Sequence, residues 1–107
     1  MSRFIVQDKY FHKAKELGYR ARSAFKLQEI QDKFHLVKAG AHVLDLGAAP
    51  GSFMQVLLKW VGPHGRVIGL DLQEIQDFGD ERADAFVCDV FDAERLRETL
   101  GRFHEGL

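Results

Sequence analysis

Apolar residues fall into three short runs along the chain, each closed by small or acidic residues. Val43, Leu44 and Leu46 make the first, Arg66-Val67-Ile68-Gly69-Leu70 the second, and Ala85-Phe86-Val87-Cys88 the third. Runs of this length, rich in β-branched and aliphatic bulk and bounded by turn formers, predict strands. Between the first two, Ser52 to Val61 carries Val56, Leu57 and Trp60 at helical spacing, which predicts a crossover helix with Ser52 as its N-cap. Gly62-Pro63-His64-Gly65 then breaks the pattern. Upstream, Ala24, Leu27, Ile30 and Phe34 recur every three or four residues, so a helix is predicted over residues 20–35, closed by Lys38-Ala39-Gly40. Lys26 falls off that stripe. Residues 73–84 are polar and read as loop, and Asp92 is placed to cap a last helix reaching Gly101, with Leu96 and Leu100 on one face. Strands alternating with helices predict an α/β fold whose first two strands run parallel, joined by a right-handed crossover.

The stretch His42-Val43-Leu44-Asp45-Leu46-Gly47-Ala48-Ala49-Pro50-Gly51-Ser52-Phe53 joins a strand to a helix through small residues. Gly47 permits a sharp turn, and Gly51 is read as leaving no side chain between backbone and ligand. The first N–H groups of the following helix lack partners within it, and the tips of parallel strands are where open α/β sheets bind ligands. A cofactor cradle is therefore expected. The dinucleotide pattern G-x-G-x-x-G does not fit, because Ala49 stands where a second glycine belongs, and no Gly-Lys-Ser/Thr follows to make a P-loop. Asp71 ends the second strand twenty residues after Gly51, the placement from which a carboxylate accepts hydrogen bonds from ribose hydroxyls. Asp89 follows the third run. Any one of these acids is equally a turn former or helix cap, whereas Asp45, Asp71 and Asp89 at three successive strand tips point to a nucleoside-type ligand.

The chain has 107 residues, which allows one small domain, and 46% are hydrophobic, which sets it apart from disordered sequences. Its net charge of −1 hides an asymmetry: residues 1–40 hold nine Lys/Arg against four acids, a surplus of +5, and the rest carries −6. Phe4, Tyr10, Phe11, Tyr19 and Phe25 interleave with the bases. Cations contact phosphates and rings stack on unpaired bases, so Lys9, Lys13, Arg20 and Arg22 are candidate RNA contacts, against the alternative of a solvated helical face. Phe25 is expected to pack on the sheet. The lone Cys88 lies in an apolar run, which suits a reducing compartment and a packing role. The five histidines show no metal-ligand spacing, so no metal is assigned. No apolar stretch approaches a membrane span and the start lacks a signal-peptide core, so a cytoplasmic location is expected.

The turn Val43-Leu44-Asp45-Leu46-Gly47-Ala48-Ala49-Pro50-Gly51-Ser52-Phe53 resembles motif I of the FtsJ/RrmJ family of S-adenosylmethionine-dependent RNA 2′-O-methyltransferases, usually D-L-G-A-A-P-G-G-W. Tyr19-Arg20-Ala21-Arg22-Ser23-Ala24-Phe25-Lys26-Leu27 resembles its Y-R-[SA]-R-[SA]-A-[YF]-K-L signature. Val61-Gly62-Pro63-His64-Gly65-Arg66-Val67-Ile68-Gly69-Leu70-Asp71-Leu72 is similar to its V-G-x-x-G-x-V-x-G-[IV]-D-L. The resemblance covers residues 19–92 and implies a Rossmann-like methyltransferase fold truncated after about three parallel strands, with a basic arm and helix over 1–40 and the front half of the methyltransferase domain over 41–107. It implies S-adenosyl-L-methionine as cofactor, with Gly51 and Phe53 at its methionine end, Asp71 on the ribose and Asp89 at the adenine edge. Gly47, Ala48, Pro50, Ser52, Leu72 and Val90 complete the candidate cofactor residues.

Lys26 matches the first member of the family's Lys-Asp-Lys-Glu catalytic set. The other three belong beyond a fourth strand, for which these residues hold no position. Phe53 and Ser52 replace the family's usual Trp and Gly. The resemblance thus implies the cofactor-binding front part of a ribosomal RNA 2′-O-methyltransferase, inactive alone, or else a non-catalytic cofactor- or RNA-binding module. A nucleotide domain of oxidoreductase type is the third reading. Self-association along an unpaired edge of the first strand is also expected.

Overall fold

A computed structural model describes residue 10 and residues 12–101; Lys9 lies outside the described residues. Three strands, β1 (His42–Leu46), β2 (Arg66–Asp71) and β3 (Ala83–Val87), form one parallel sheet in the order β1-β2-β3. His42 stands opposite Arg66 and Leu46 opposite Leu70, while Val67 faces Ala83 and Asp71 faces Val87. β2 is central and covered on both faces, which is why four consecutive residues, Val67 to Leu70, are buried and its sequence reads as an unbroken apolar run. From Ser23 onward the described residues form the helices α1 (Ser23–Phe34), α2 (Ser52–Val61) and α3 (Ala93–Gly101).

Helix α2 is the main packing element. Met54, Val56 and Val61 are fully buried, and Leu57 and Leu58 nearly so. It presses onto Val67, with Leu27 of α1 and Ile75 and Phe78 of the β2–β3 loop packed around the same cluster. The opposite face of the sheet carries Ile68, Leu70 and Cys88, covered by Leu96 and Leu100 of α3. Burying side chains of this size on both faces of a central strand supplies most of the driving force for folding. Among the described residues, β1 and β3 are the rims of the sheet, and Leu44 and Leu46 of β1 face outward.

Several element boundaries differ from the sequence expectation. Helix α1 begins at Ser23, not at 20, because Gln55 of α2 holds the preceding segment: its Oε1 accepts the Arg20 backbone N–H at 2.7 Å and its Nε2 donates to Gly18 O at 2.9 Å. The helix ends at Phe34, with His35 left-handed (φ 50°), rather than at Lys38-Ala39-Gly40. Gln31 grips Val37 in the same way, donating to its carbonyl at 2.7 Å and accepting its N–H at 2.9 Å. Phe34 consequently lies past the contact and is 60% exposed, so it does not join the stripe of Ala24, Leu27 and Ile30. Strand β3 begins two residues early, at Ala83, because the register of β2 extends to Val67, whose N–H donates to Arg82 O. Phe25 meets Tyr19 edge-on at 5.7 Å and Tyr10 at 6.2 Å, within a cluster of the amino-terminal segment rather than on the sheet.

Candidate cofactor site

The tips of β1 and β2 are tied by backbone. Gly47 and Ala48 N–H groups both donate to Leu70 O, at 2.7 and 3.0 Å, which curls the chain after β1 over the end of β2. Gly47 has φ 74°, a conformation side chains resist, and the Cβ it lacks would meet nothing within 4 Å. The Ala49–Pro50 peptide is cis. Gly51 has φ 107° and is the N-cap of α2, with Ser52 the first helical residue. Ser52 is therefore not the cap: the residue is 2% exposed and its hydroxyl bonds the Ser23 hydroxyl at 2.7 Å, tying α1 to α2.

Gly51 serves a different end from the one expected. A Cβ there would lie 2.6 Å from Phe78 Cζ and 2.9 Å from Arg20 Nη1, so glycine makes room for protein, and the open side of the turn is at Gly47. Ser23, Asp45, Leu46, Gly47, Ala48, Ala49, Ser52 and Phe53 line a cleft of about 260 Å³. That is just below the roughly 300–1,000 Å³ of pockets that enclose a drug-sized ligand, which fits one end of an elongated nucleoside ligand.

Two carboxylates at this place are driven in opposite directions. Asp71 accepts the backbone N–H groups of Gln73 at 2.9 Å and Ala49 at 3.0 Å, and these bonds hold its pKa below the usual carboxylate value. An ionised carboxylate offers about four acceptor positions, so Asp71 keeps acceptor capacity toward a ligand beyond these backbone bonds. Asp45, inside β1, is raised to about 6, by burial first and by the charge of Asp71 second. Its Oδ2 is buried and, among the described residues, has no hydrogen-bond partner. Asp45 was legible as an acid within an apolar strand, but nothing in the pattern marked one of its oxygens as unpaired. Paired titratable groups pushed apart in pKa are a mark of functional sites.

A pH dependence follows. Asp45 binds its proton more tightly folded than unfolded (about 6 against 3.8), so its contribution to stability falls as pH rises between those values. After discounting for partial exposure, ionised Asp45 costs about 1–2 kcal/mol above pH 6. Asp45→Asn should therefore raise the melting temperature by several degrees at pH 8 and change it little at pH 4. Identical pH profiles of melting temperature for variant and parent would refute this assignment.

The remaining candidates are placed as follows. Asp89 accepts the Phe91 N–H at 2.9 Å in a local turn after β3, and Val90 packs against the Ile68 cluster. Leu72 is 69% exposed beside Asp71. Lys26 lies three residues beyond Ser23 on α1 and is not among the residues lining the cleft; its ammonium is exposed and only loosely paired with Glu29 at 3.8 Å, a contact worth little. Lys13 stands 5.5 Å over the Phe25 ring, and Arg22 is exposed. Arg20 is turned inward, donating to the carbonyls of Pro50, Gln76 and Asp77. Among the described residues, no helix is long and apolar enough to cross a membrane.

The family described as FtsJ-like methyltransferase matches residues 19–105. Proteins named ribosomal RNA large subunit methyltransferase E are similar throughout. The one from Syntrophobacter fumaroxidans is 49% identical over 94 residues, 88% of this chain and 48% of that protein. The one from Myxococcus xanthus is 49% identical over 100 residues, 94% and 46% of the respective chains. The one from Methanocaldococcus jannaschii is 42% identical over 106 residues, 96% of this chain and 42% of the relative. A crystal structure of a ribosomal RNA methyltransferase from Plasmodium falciparum superimposes with a TM-score of 0.62 at 26% identity, covering 76% of this chain and 49% of that one. The chain thus spans about half the length of the curated relatives it matches.

Proposed function

We propose a function from one premise, that the chain belongs to the FtsJ-like methyltransferase family: its strand tips hold S-adenosyl-L-methionine, and it forms the cofactor-binding front part of a ribosomal RNA 2′-O-ribose methyltransferase. The observation that carries this is Asp71, kept ionised by backbone N–H groups at the tip of β2, beside a glycine turn that is open at Gly47. Spare acceptor positions, a turn with no side chain over it and a cleft next to it are what a nucleoside cofactor needs, and the residues present fit one. Asp71 and Leu72 would hold the ribose, Asp89 and Val90 would meet the adenine, and the turn from Gly47 to Phe53 would take the methionine end.

When bound, the cofactor supplies a methyl carbon on a sulfonium, already poised to leave. The chain's work is then to align that carbon with a ribose 2′-oxygen, which can replace several kcal/mol of barrier by preorganisation. Lys26 would supply a cation near the oxygen as it loses its proton, stabilising the negative charge that develops. Lys9, Lys13 and Arg22 supply phosphate contacts for the RNA. By the family's pattern the other catalytic positions lie beyond these residues, so this chain alone binds without turnover.

The test is titration calorimetry of the folded chain with S-adenosylmethionine, S-adenosylhomocysteine and NAD. Heat with the first two and none with NAD is expected. Heat with NAD alone would reinstate an oxidoreductase-type nucleotide domain, and no heat with any of the three would end the cofactor reading.

A further inference from the structure

Arg20 belongs by sequence pattern with the basic residues of the amino-terminal segment, yet its guanidinium is directed into the protein. Nη1 donates to Pro50 O at 3.0 Å and Gln76 O at 2.6 Å, and Nη2 to Asp77 O at 3.0 Å. Its Cζ stands 3.8 Å from the centroid of the Phe78 ring. Three of five donors are thus committed to carbonyls on two separate segments, the glycine turn and the β2–β3 loop, with an aromatic face stacked against the plane. Arg20 is itself anchored from behind, since its backbone N–H is held by Gln55 of α2.

The β2–β3 loop has few other ties. Gln73 N–H bonds Asp71 and Gly79 N–H bonds Asp77, both two residues away. Among the hydrogen bonds of the described residues in 73–79, those from Arg20 are the ones that reach a distant part of the chain. Ile75 and Phe78 add apolar contact with the α2 cluster, so the loop has a second hold that is less directional. Phe78 and Arg20 together occupy the space a Cβ on Gly51 would need, so turn, loop and guanidinium fit only as a set.

We propose that Arg20 is a positioning residue that latches the 73–79 loop to the glycine turn and so fixes the spacing between that turn and Asp71. This rests on reading the strand tips as a cofactor site, and it assigns to that site a side chain which the charge pattern gives to RNA. Lysine cannot replace it fully: one ammonium cannot span three carbonyls and stack on a ring.

The experiment compares the parent chain with Arg20→Leu and Arg20→Lys by hydrogen–deuterium exchange and by calorimetry with S-adenosylhomocysteine. In Arg20→Leu, amides of residues 73–79 should exchange about tenfold faster while those of β2 and α2 keep their protection, and the Kd should rise about tenfold. Arg20→Lys should fall between the two, and carries the comparison if the leucine variant does not fold. Unchanged exchange at 73–79 would overturn the latch without touching the cofactor reading. Unchanged affinity beside a binding parent would overturn the positioning role in the same selective way. A parent that gives no heat defeats the cofactor reading itself, and the positioning role falls with it.

Discussion

Asp71→Ala is expected to weaken binding of S-adenosylmethionine by about a hundredfold in titration calorimetry, the effect of losing two hydrogen bonds to a charged acceptor. The loss would go beyond the two proposed ribose contacts. The carboxylate also takes the N–H groups of Ala49 and Gln73, so alanine leaves the turn and the start of the β2–β3 loop without their shared anchor. Asp71→Asn separates the two effects. It keeps one acceptor oxygen but removes the charge, so an intermediate loss of about tenfold is expected. Circular dichroism of both variants shows whether the sheet persists, as it should with the core of β2 untouched. Parent-like affinity in a folded Asp71→Ala would remove the basis for placing the ribose at this strand tip.

Gly65→Ala is the substitution expected to damage the fold most, lowering stability by about 3 kcal/mol. Gly65 is buried at the end of the turn that follows α2, where its N–H donates to Gly62 O. A Cβ there would overlap Val61, both its side chain and its backbone carbonyl. Backbone cannot rotate away, so the end of α2 would have to shift from the sheet, and Val61 is fully buried. Thermal melts should show a midpoint lower by more than 10 °C for a chain of this size. Gly101→Ala is the control: nothing lies within 4 Å of its Cβ position, and in a helix alanine is favoured by up to about 1 kcal/mol. Equal midpoints for the two variants would contradict the packing at residue 65.

The parts of the fold that local chemistry determines were legible. β2 appears at its full length because every residue from Val67 to Leu70 is buried, and α2 because its apolar positions recur at helical spacing between two glycine breaks. What the pattern did not carry were arrangements made by residues far apart in the chain. Gln55 takes residues 18–20 out of the first helix, and Gln31 takes Val37, yet glutamine at these positions has no local signature. The start of β3 is set by its neighbour, with Arg66 and Asp84 paired at 2.7 Å across the two strands.

The site divides along the same line. Gly47, Asp71 and the cleft beside them were readable from a strand, a turn and an acid at the right distance. Gly51 was identified with the wrong neighbour, because a glycine's missing side chain does not say what fills the space. Arg20 was grouped with solvent-facing cations, since charge alone cannot distinguish a guanidinium aimed at phosphate from one aimed at carbonyls.

With β1 on the rim of a sheet whose strands all point one way, any further strand laid along it in that direction ends beside Gly47. Growth of the sheet on this side would therefore bring new side chains to the candidate cofactor site without disturbing the grip already formed between β1 and β2. Leu44 and Leu46, now exposed, would then lie away from the rim, so the same extension would also shield the site from water.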